Sequence, residues 1–267
     1  MAKKKQFRMP QRLSISLLAM LTSLSGCAKD QSLAPPPDSE QVTVRIKVPA
    51  ELKAETMEVM YRSTLCTFTD HSAYGEPYQR DGYQQMDIQP SRQGQSDIYE
   101  AKLPKDGGSE CQWRLSNVTF GVSYLTPEHF GQGLTSGSGG GVVVIFDDNA
   151  SPRGGARIEV DGNLKIKKPY YPWIDEAFLG GHKKKLHLSN EGLSYLKYNA
   201  PNAQEIYFEP ILYSSFVVYS EGPKIKEKGS YTKFTYPDGS ILENGDFEPR
   251  LQKLEAIRLA AEKSKQP

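Results

Sequence analysis

Val42-Thr43-Val44-Arg45-Ile46-Lys47-Val48 alternates branched apolar residues with polar ones. Side chains of a strand point to opposite faces in turn, so a period of two describes a strand with one buried face. Pro49 ends it, because proline has no amide hydrogen for a ladder. The same logic carries outward. Residues 57–66 (MEVMYRSTLC) are expected as a second strand with Met57, Val59 and Tyr61 on one face. The polar, turn-rich segment 67–82 reads as a long loop. Shorter strands are expected at 83–89 and 97–103, and a turn at Asp106-Gly107-Gly108. Cys111, Trp113 and Leu115 then alternate, and Val118, Phe120, Val122 and Tyr124 resume one residue out of phase. A β-bulge near Ser116-Asn117 accounts for the shift. Residues 41–125 therefore read as a small antiparallel β-sandwich domain.

Residues 126–141 (TPEHFGQGLTSGSGGG) are dominated by glycine and serine and are expected as a flexible loop. The region 142–267 is β-rich again. Gly141 to Phe146 is a fully apolar strand. Asp161-Gly162 predicts a hairpin turn between ARIEV and NLKIK. Further strands are expected at 183–189, 204–209 and 211–219, with a second hairpin over 230–243 turning at Pro237-Asp238-Gly239. From Glu248 to Lys263, Leu251, Leu254, Arg258 and Ala261 recur at helical spacing. The expected class is mainly β: an antiparallel β-sandwich in two β-rich halves, closed by a C-terminal amphipathic helix. Fifteen Tyr and ten Phe suit strands.

The first 26 residues have another character. Lys3, Lys4, Lys5, Arg8 and Arg12 precede an apolar stretch from Leu13 to Leu24, and small residues follow at Ser25-Gly26. That order forms a secretory signal peptide over 1–26. The apolar stretch is too short to span a bilayer, which takes about 20 residues. Leu24-Ser25-Gly26-Cys27 resembles the lipobox of bacterial lipoproteins. The resemblance implies cleavage between Gly26 and Cys27, a diacylglycerol group on the Cys27 thiol and an N-acyl chain on its new amine. Three acyl chains anchor a protein that one chain holds only weakly. Ala28 rather than Asp follows the cysteine, which in that family implies the outer membrane; the residue does not set which side the body faces, and the periplasm is expected as the usual default. Residues 27–40, with Pro35-Pro36-Pro37, are then a lipidated cysteine and a stiff tether that lifts the body off the lipid.

Processing changes the charge. The chain holds 33 Lys and Arg against 32 Asp and Glu. Loss of the five basic residues of the signal leaves 28 against 32, a charge of −4. Such a balance points to no nucleic-acid partner. Once Cys27 is acylated, Cys66 and Cys111 are the remaining thiols in an oxidising compartment, and a disulfide between them is expected. It closes a loop of 45 residues, for which chain entropy suggests roughly 4 kcal/mol.

Chemistry-bearing motifs are scarce. There is no G-x-S-x-G elbow, no G-x-x-x-x-G-K-[ST] loop and no H-E-x-x-H pair. Gly137-Ser138-Gly139-Gly140-Gly141-Val142 fails the dinucleotide pattern at its last position. His182 and His187 are an odd number apart, so one strand face cannot present both to a metal. Asp147-Asp148-Asn149 falls short of the six to eight oxygens that calcium takes. No catalytic residue, metal or cofactor is expected beyond the covalent lipid. Two segments read as partner surfaces. Residues 165–187 combine six lysines with Tyr170, Tyr171, Trp173 and Phe178. The loop 67–82 carries Phe68, His71, Tyr74, Tyr78 and Arg80, residue types favoured as interface anchors. Tyr74, Tyr78, Arg80, Tyr171 and Trp173 are the candidate contact residues.

Met60-Tyr61-Arg62-Ser63 with Cys66, Gln95-Ser96-Asp97-Ile98-Tyr99, Lys105-Asp106-Gly107-Gly108 and Cys111-Gln112-Trp113 resemble lipoproteins encoded beside phospholipase effectors of type VI secretion systems. The likeness covers roughly residues 55–125. It implies an immunity protein that sits in the periplasm on its lipid anchor and binds and blocks the phospholipase delivered by sister cells. It supplies no catalytic residues, so the chain is expected not to be an enzyme. The competing expectation is an envelope assembly or structural lipoprotein that binds another envelope component.

Overall fold

The structure, a computed structural model, describes residues 31–148, 157–190 and 195–265. Strands in chain order are β1 (Gln41–Lys47), β2 (Leu52–Ala54), β3 (Met57–His71), β4 (Pro77–Ile88), β5 (Ser91–Arg92), β6 (Ile98–Pro104), β7 (Asp106–Gly108), β8 (Trp113–Tyr124) and β9 (Thr135–Gly139). Then come β10 (Gly141–Ile145), β11 (Ile158–Glu159), β12 (Leu164–Ala177), β13 (Lys183–Ser189), β14 (Leu196–Asn199), β15 (Glu205–Leu212), β16 (Val218–Glu221), β17 (Lys233–Thr235) and β18 (Ile241–Leu242). One helix, α1 (Leu251–Lys263), follows. The molecule is mainly β, with two sheets facing each other as a sandwich.

One sheet runs β18-β17-β16-β12-β15-β1-β6-β5, with β13 and β9 branching from β12; the other runs β11-β14-β10-β8-β3-β4, with β2 and β7 on β8. The inward row of β1, Val42, Val44 and Ile46, is fully buried. Phe120 of β8 meets Phe208 of β15 edge to face, ring centres 6.0 Å apart, across the gap between the sheets. Leu254 of α1 joins Tyr171, Trp173, Val218, Phe234 and Tyr236 in a smaller cluster. Arg258 extends that contact: its guanidinium lies 4.4 Å from the Tyr213 ring centre and donates to the Tyr171 hydroxyl at 3.2 Å.

Several expectations give way. Residues 41–125 are not a self-contained antiparallel sandwich. β1 lies between β6, which it meets antiparallel, and β15, which it meets parallel. β10 and β14 likewise extend the sheet of β3 and β8. Both sheets are mixed: hairpins such as β3–β4 and β12–β13 are antiparallel, while connections that cross between the sheets make parallel neighbours of distant segments. Asp161-Gly162 is a case in point. β11 pairs with β14 in one sheet while β12 pairs with β15 in the other, so the turn joins sheets and makes no hairpin. Residues 126–141 are not an open loop: a 3₁₀ turn (Pro127–Phe130) and β9 form there, and Leu134 is buried. The strands expected at 204–209 and 211–219 are replaced by β15 and β16, and β14 goes unforeseen. The bulge does fall at Ser116, since Met60 faces Asn117 while Tyr61 faces Leu115.

The tether is also different. From residue 31 onward the chain is docked on the body. The Trp113 indole donates to the Gln31 carbonyl at 3.0 Å, Ala34 bridges to Gly108, and Lys105 pairs with Glu40 at 2.7 Å. Leu33 packs on the main core. Gly107 permits this approach, since a Cβ there would come within 3 Å of Trp113, Tyr61 and Leu33. Residues 31–40 are a strap, not a free spacer.

Candidate functional site

The segment expected as the loop 67–82 is a two-stranded arm. β3 pairs with β8 only from Glu58 to Arg62, yet continues to His71. Past that point its partner is β4, from Phe68 opposite Arg80 to His71 opposite Pro77. The loop was expected because apolar alternation stops at Cys66. A two-stranded ribbon that projects from its sheet has no face to bury, so polar residues suit it.

The base of the arm is fixed. Cys66 is disulfide-bonded to Cys111, with Cα atoms 5.3 Å apart. Beside it, the Ser63 hydroxyl donates to the Cys111 carbonyl at 2.5 Å and accepts the Leu65 and Cys66 amides at 3.0 Å. The register between β3 and β4 shifts between Ser63 and Phe68, where this clasp sits. Opposite it, β4 comes so close that a Cβ on Gly82 would overlap the Cys66 carbonyl.

Beyond the base, the two faces differ. Thr67 and Thr69 exchange hydrogen bonds with Gln79 at 3.0 and 2.9 Å on one face. Phe68, Asp70, Tyr78 and Arg80 share the other. Arg80 donates to Asp70 at 2.8 Å, and the Tyr78 hydroxyl donates to the same carboxylate oxygen at 3.3 Å. The Arg80 guanidinium lies 5.6 Å from the Phe68 ring centre. The Arg80 bond, helped by the His71 amide, holds Asp70 below its ordinary pKa, and the carboxylate raises Arg80 in turn. At the tip, Ser72 accepts the Tyr74 and Glu76 amides and Gly75 takes a φ of 82°. Tyr74 is 94% exposed, and Tyr78 and Tyr83 also present rings to solvent.

Comparison of the chain with protein-family models, with curated proteins and with solved structures finds no match.

Of the five candidate contact residues, the structure gathers Tyr74, Tyr78 and Arg80 on the arm. Tyr171 and Trp173 are a correction: both are buried in the cluster beneath α1. Aromatic character in a lysine-bearing strand reported a second core, not a surface. Gly26 and Cys27 lie outside the described residues. Asp70 was overlooked. Its signal was the symmetry of Phe68-x-Asp70 and Tyr78-x-Arg80 about the turn, which places all four on one face of a hairpin.

One further pair has the look of chemistry. Ser138 Oγ lies 3.2 Å from His187 Nδ1. That nitrogen already accepts the Ser138 amide at 2.9 Å, which occupies the lone pair a general base would use. Asp175 does not orient the imidazole but accepts the Ser220 hydroxyl at 2.6 Å. Burial lowers the pKa of His187, and its ring stacks on Trp173 at 4.8 Å. The arrangement pins β9 against β13. Among the described residues no group of three or more His, Cys, Asp or Glu is placed to hold a metal ion. Asp147 and Asp148 are described, while Asn149 lies outside. Among the described residues no helix is long and apolar enough to cross a membrane.

Proposed function

We propose that this chain is a lipid-anchored protein of the bacterial outer membrane, facing the periplasm, that binds and neutralises a secreted phospholipase-type toxin. The arm is the observation that carries the reading. It is stapled at its base and stands clear of the sheet. Its Phe68-Asp70-Tyr78-Arg80 face holds the residue types on which protein interfaces concentrate their binding energy. The internal ion pair orders those side chains before a partner arrives, which reduces the entropy lost on binding. The mechanism proposed is occlusion: the arm enters or covers the toxin's substrate entrance. An anchor on Cys27 raises the local concentration of the arm at the lipid where such an enzyme works.

The test is capture of partners by the soluble domain, residues 28–267, from cells carrying the neighbouring secretion cluster. A phospholipase retained by the wild-type domain and lost with Tyr78→Ala plus Arg80→Ala is the expected result. Capture of an envelope assembly component instead, unaffected by the arm variants, refutes both the toxin and the surface. Deletion of the gene should also sensitise cells to siblings that deliver the effector.

A further inference from the structure

We propose that the arm lies along the lipid surface, with Tyr74 at its tip among the phospholipid headgroups. This deepens the reading above and rests on Cys27 being acylated. What carries it is the place where the strap ends. Gln31 is fixed to Trp113 and lies beside Gln84 and Met86 of β4. Only residues 28–30 separate it from Cys27, so four residue steps, about 14 Å at full extension, link the docked strap to the acyl chains. The bilayer surface is therefore within that distance of the middle of β4.

Strand lengths then limit the pose. Glu76, at the start of the tip, is eight residues from Gln84 along β4, a span of about 27 Å. An arm aimed straight at the bilayer would drive its tip about 13 Å past the anchor level, through a headgroup layer only about 5–7 Å deep. Glu76 at the tip, with His71 beside Pro77, would then enter hydrocarbon, which polar and charged groups resist. An arm aimed straight away is also disfavoured. β4 runs four residues the other way to Ile88, about 13 Å, and with the turn that follows consumes the whole leash. Between these two extremes the arm runs along the surface. Tyr74, 94% exposed, is the residue at its tip, and tyrosine is enriched at the membrane–water boundary. A phospholipase seated on lipid would meet the Phe68-Asp70-Tyr78-Arg80 face at its own working level.

The test uses acylated full-length protein reconstituted into phosphatidylcholine vesicles carrying a nitroxide on the headgroup. Trp113 and Trp173 are buried, so a Tyr74→Trp variant reports the tip. Its emission should be quenched at least twofold more than that of the wild type. Insertion of twelve Gly/Ser residues between Asp30 and Gln31 should remove most of the added quenching. Unquenched Tyr74→Trp emission in protein that is acylated by mass and bound to the vesicles overturns the pose and leaves the anchor standing. Absence of acyl mass on Cys27, with no vesicle binding, overturns both.

Discussion

Asp70 organises the arm. Its carboxylate takes the Arg80 guanidinium and the Tyr78 hydroxyl at once, and both donors belong to the proposed contact face. Asp70→Asn keeps the shape and removes the charge. Arg80 then loses its anchor, so the proposed partner should bind roughly thirtyfold more weakly, the loss of about 2 kcal/mol that marks an interface hot spot. Exposed ion pairs contribute little to global folding, so the melting temperature should stay put; titration calorimetry and thermal unfolding together check this. The pH sign follows from the depressed pKa. Asp70 stays ionised in the folded arm below the ordinary aspartate value, so the pair is complete at neutral pH and is lost as pH falls through the folded-state pKa. A side-chain carboxyl NMR titration should place the Asp70 midpoint below that of a free aspartate. A midpoint at the ordinary value removes the preorganised face from the argument.

At the level of elements, legibility followed burial. β1, β8, β10 and α1 were readable because each buries one stripe or both faces, and burial imposes a period on the sequence. The outer half of the β3–β4 hairpin buries almost nothing, so its strand character left no apolar alternation. The Cys66–Cys111 pairing came from compartment logic and is present, but what it clasps was invisible: the junction where β3 leaves β8. Reducing it, or Cys66→Ser with Cys111→Ser, should cost about 2–5 kcal/mol of stability. Amide exchange should rise first in residues 67–80, the ribbon the clasp holds to the sheet. β9 was missed because its glycines fit the backbone of β13 and the ring of His187 and carry no period. Its anchor is pH-sensitive. The folded-state pKa of His187 is lowered by burial, so its contribution is complete above the unfolded value of about 6.5 and is lost as pH falls toward the folded one. Thermal unfolding followed from pH 7.5 to 5 should show a falling melting temperature, and His187→Gln should flatten that slope.

For the whole molecule, the decisive fact is that sequence halves are not structural halves. A linear reading sees a glycine-rich break at 126–141 and assigns a domain to each side, because composition changes there. Pairing between β1 and β15 and between β10 and β8 is non-local, and no local pattern announces it. The Phe120–Phe208 contact joins the two sheets, and with them the two halves, in one core. Residues 41–125 alone would expose Val42, Val44 and Ile46 on a β1 stripped of β15, beside a β8 stripped of β10. Such a fragment lacks the apolar partners that offset the conformational entropy of ordering, about 1–2 kcal/mol per residue. It should remain unfolded, with no near-ultraviolet circular dichroism from Trp113 even with the disulfide formed. The intact body should lose Trp113 and Trp173 signals together in urea, since the two indoles stand on opposite sides of the supposed boundary. Phe208→Ala, which empties the contact between the sheets, should cost about 3–5 kcal/mol and lower both midpoints equally. A folded 41–125 fragment, or separate midpoints for the two tryptophans, would restore two independent bodies and detach the arm from the second half of the chain.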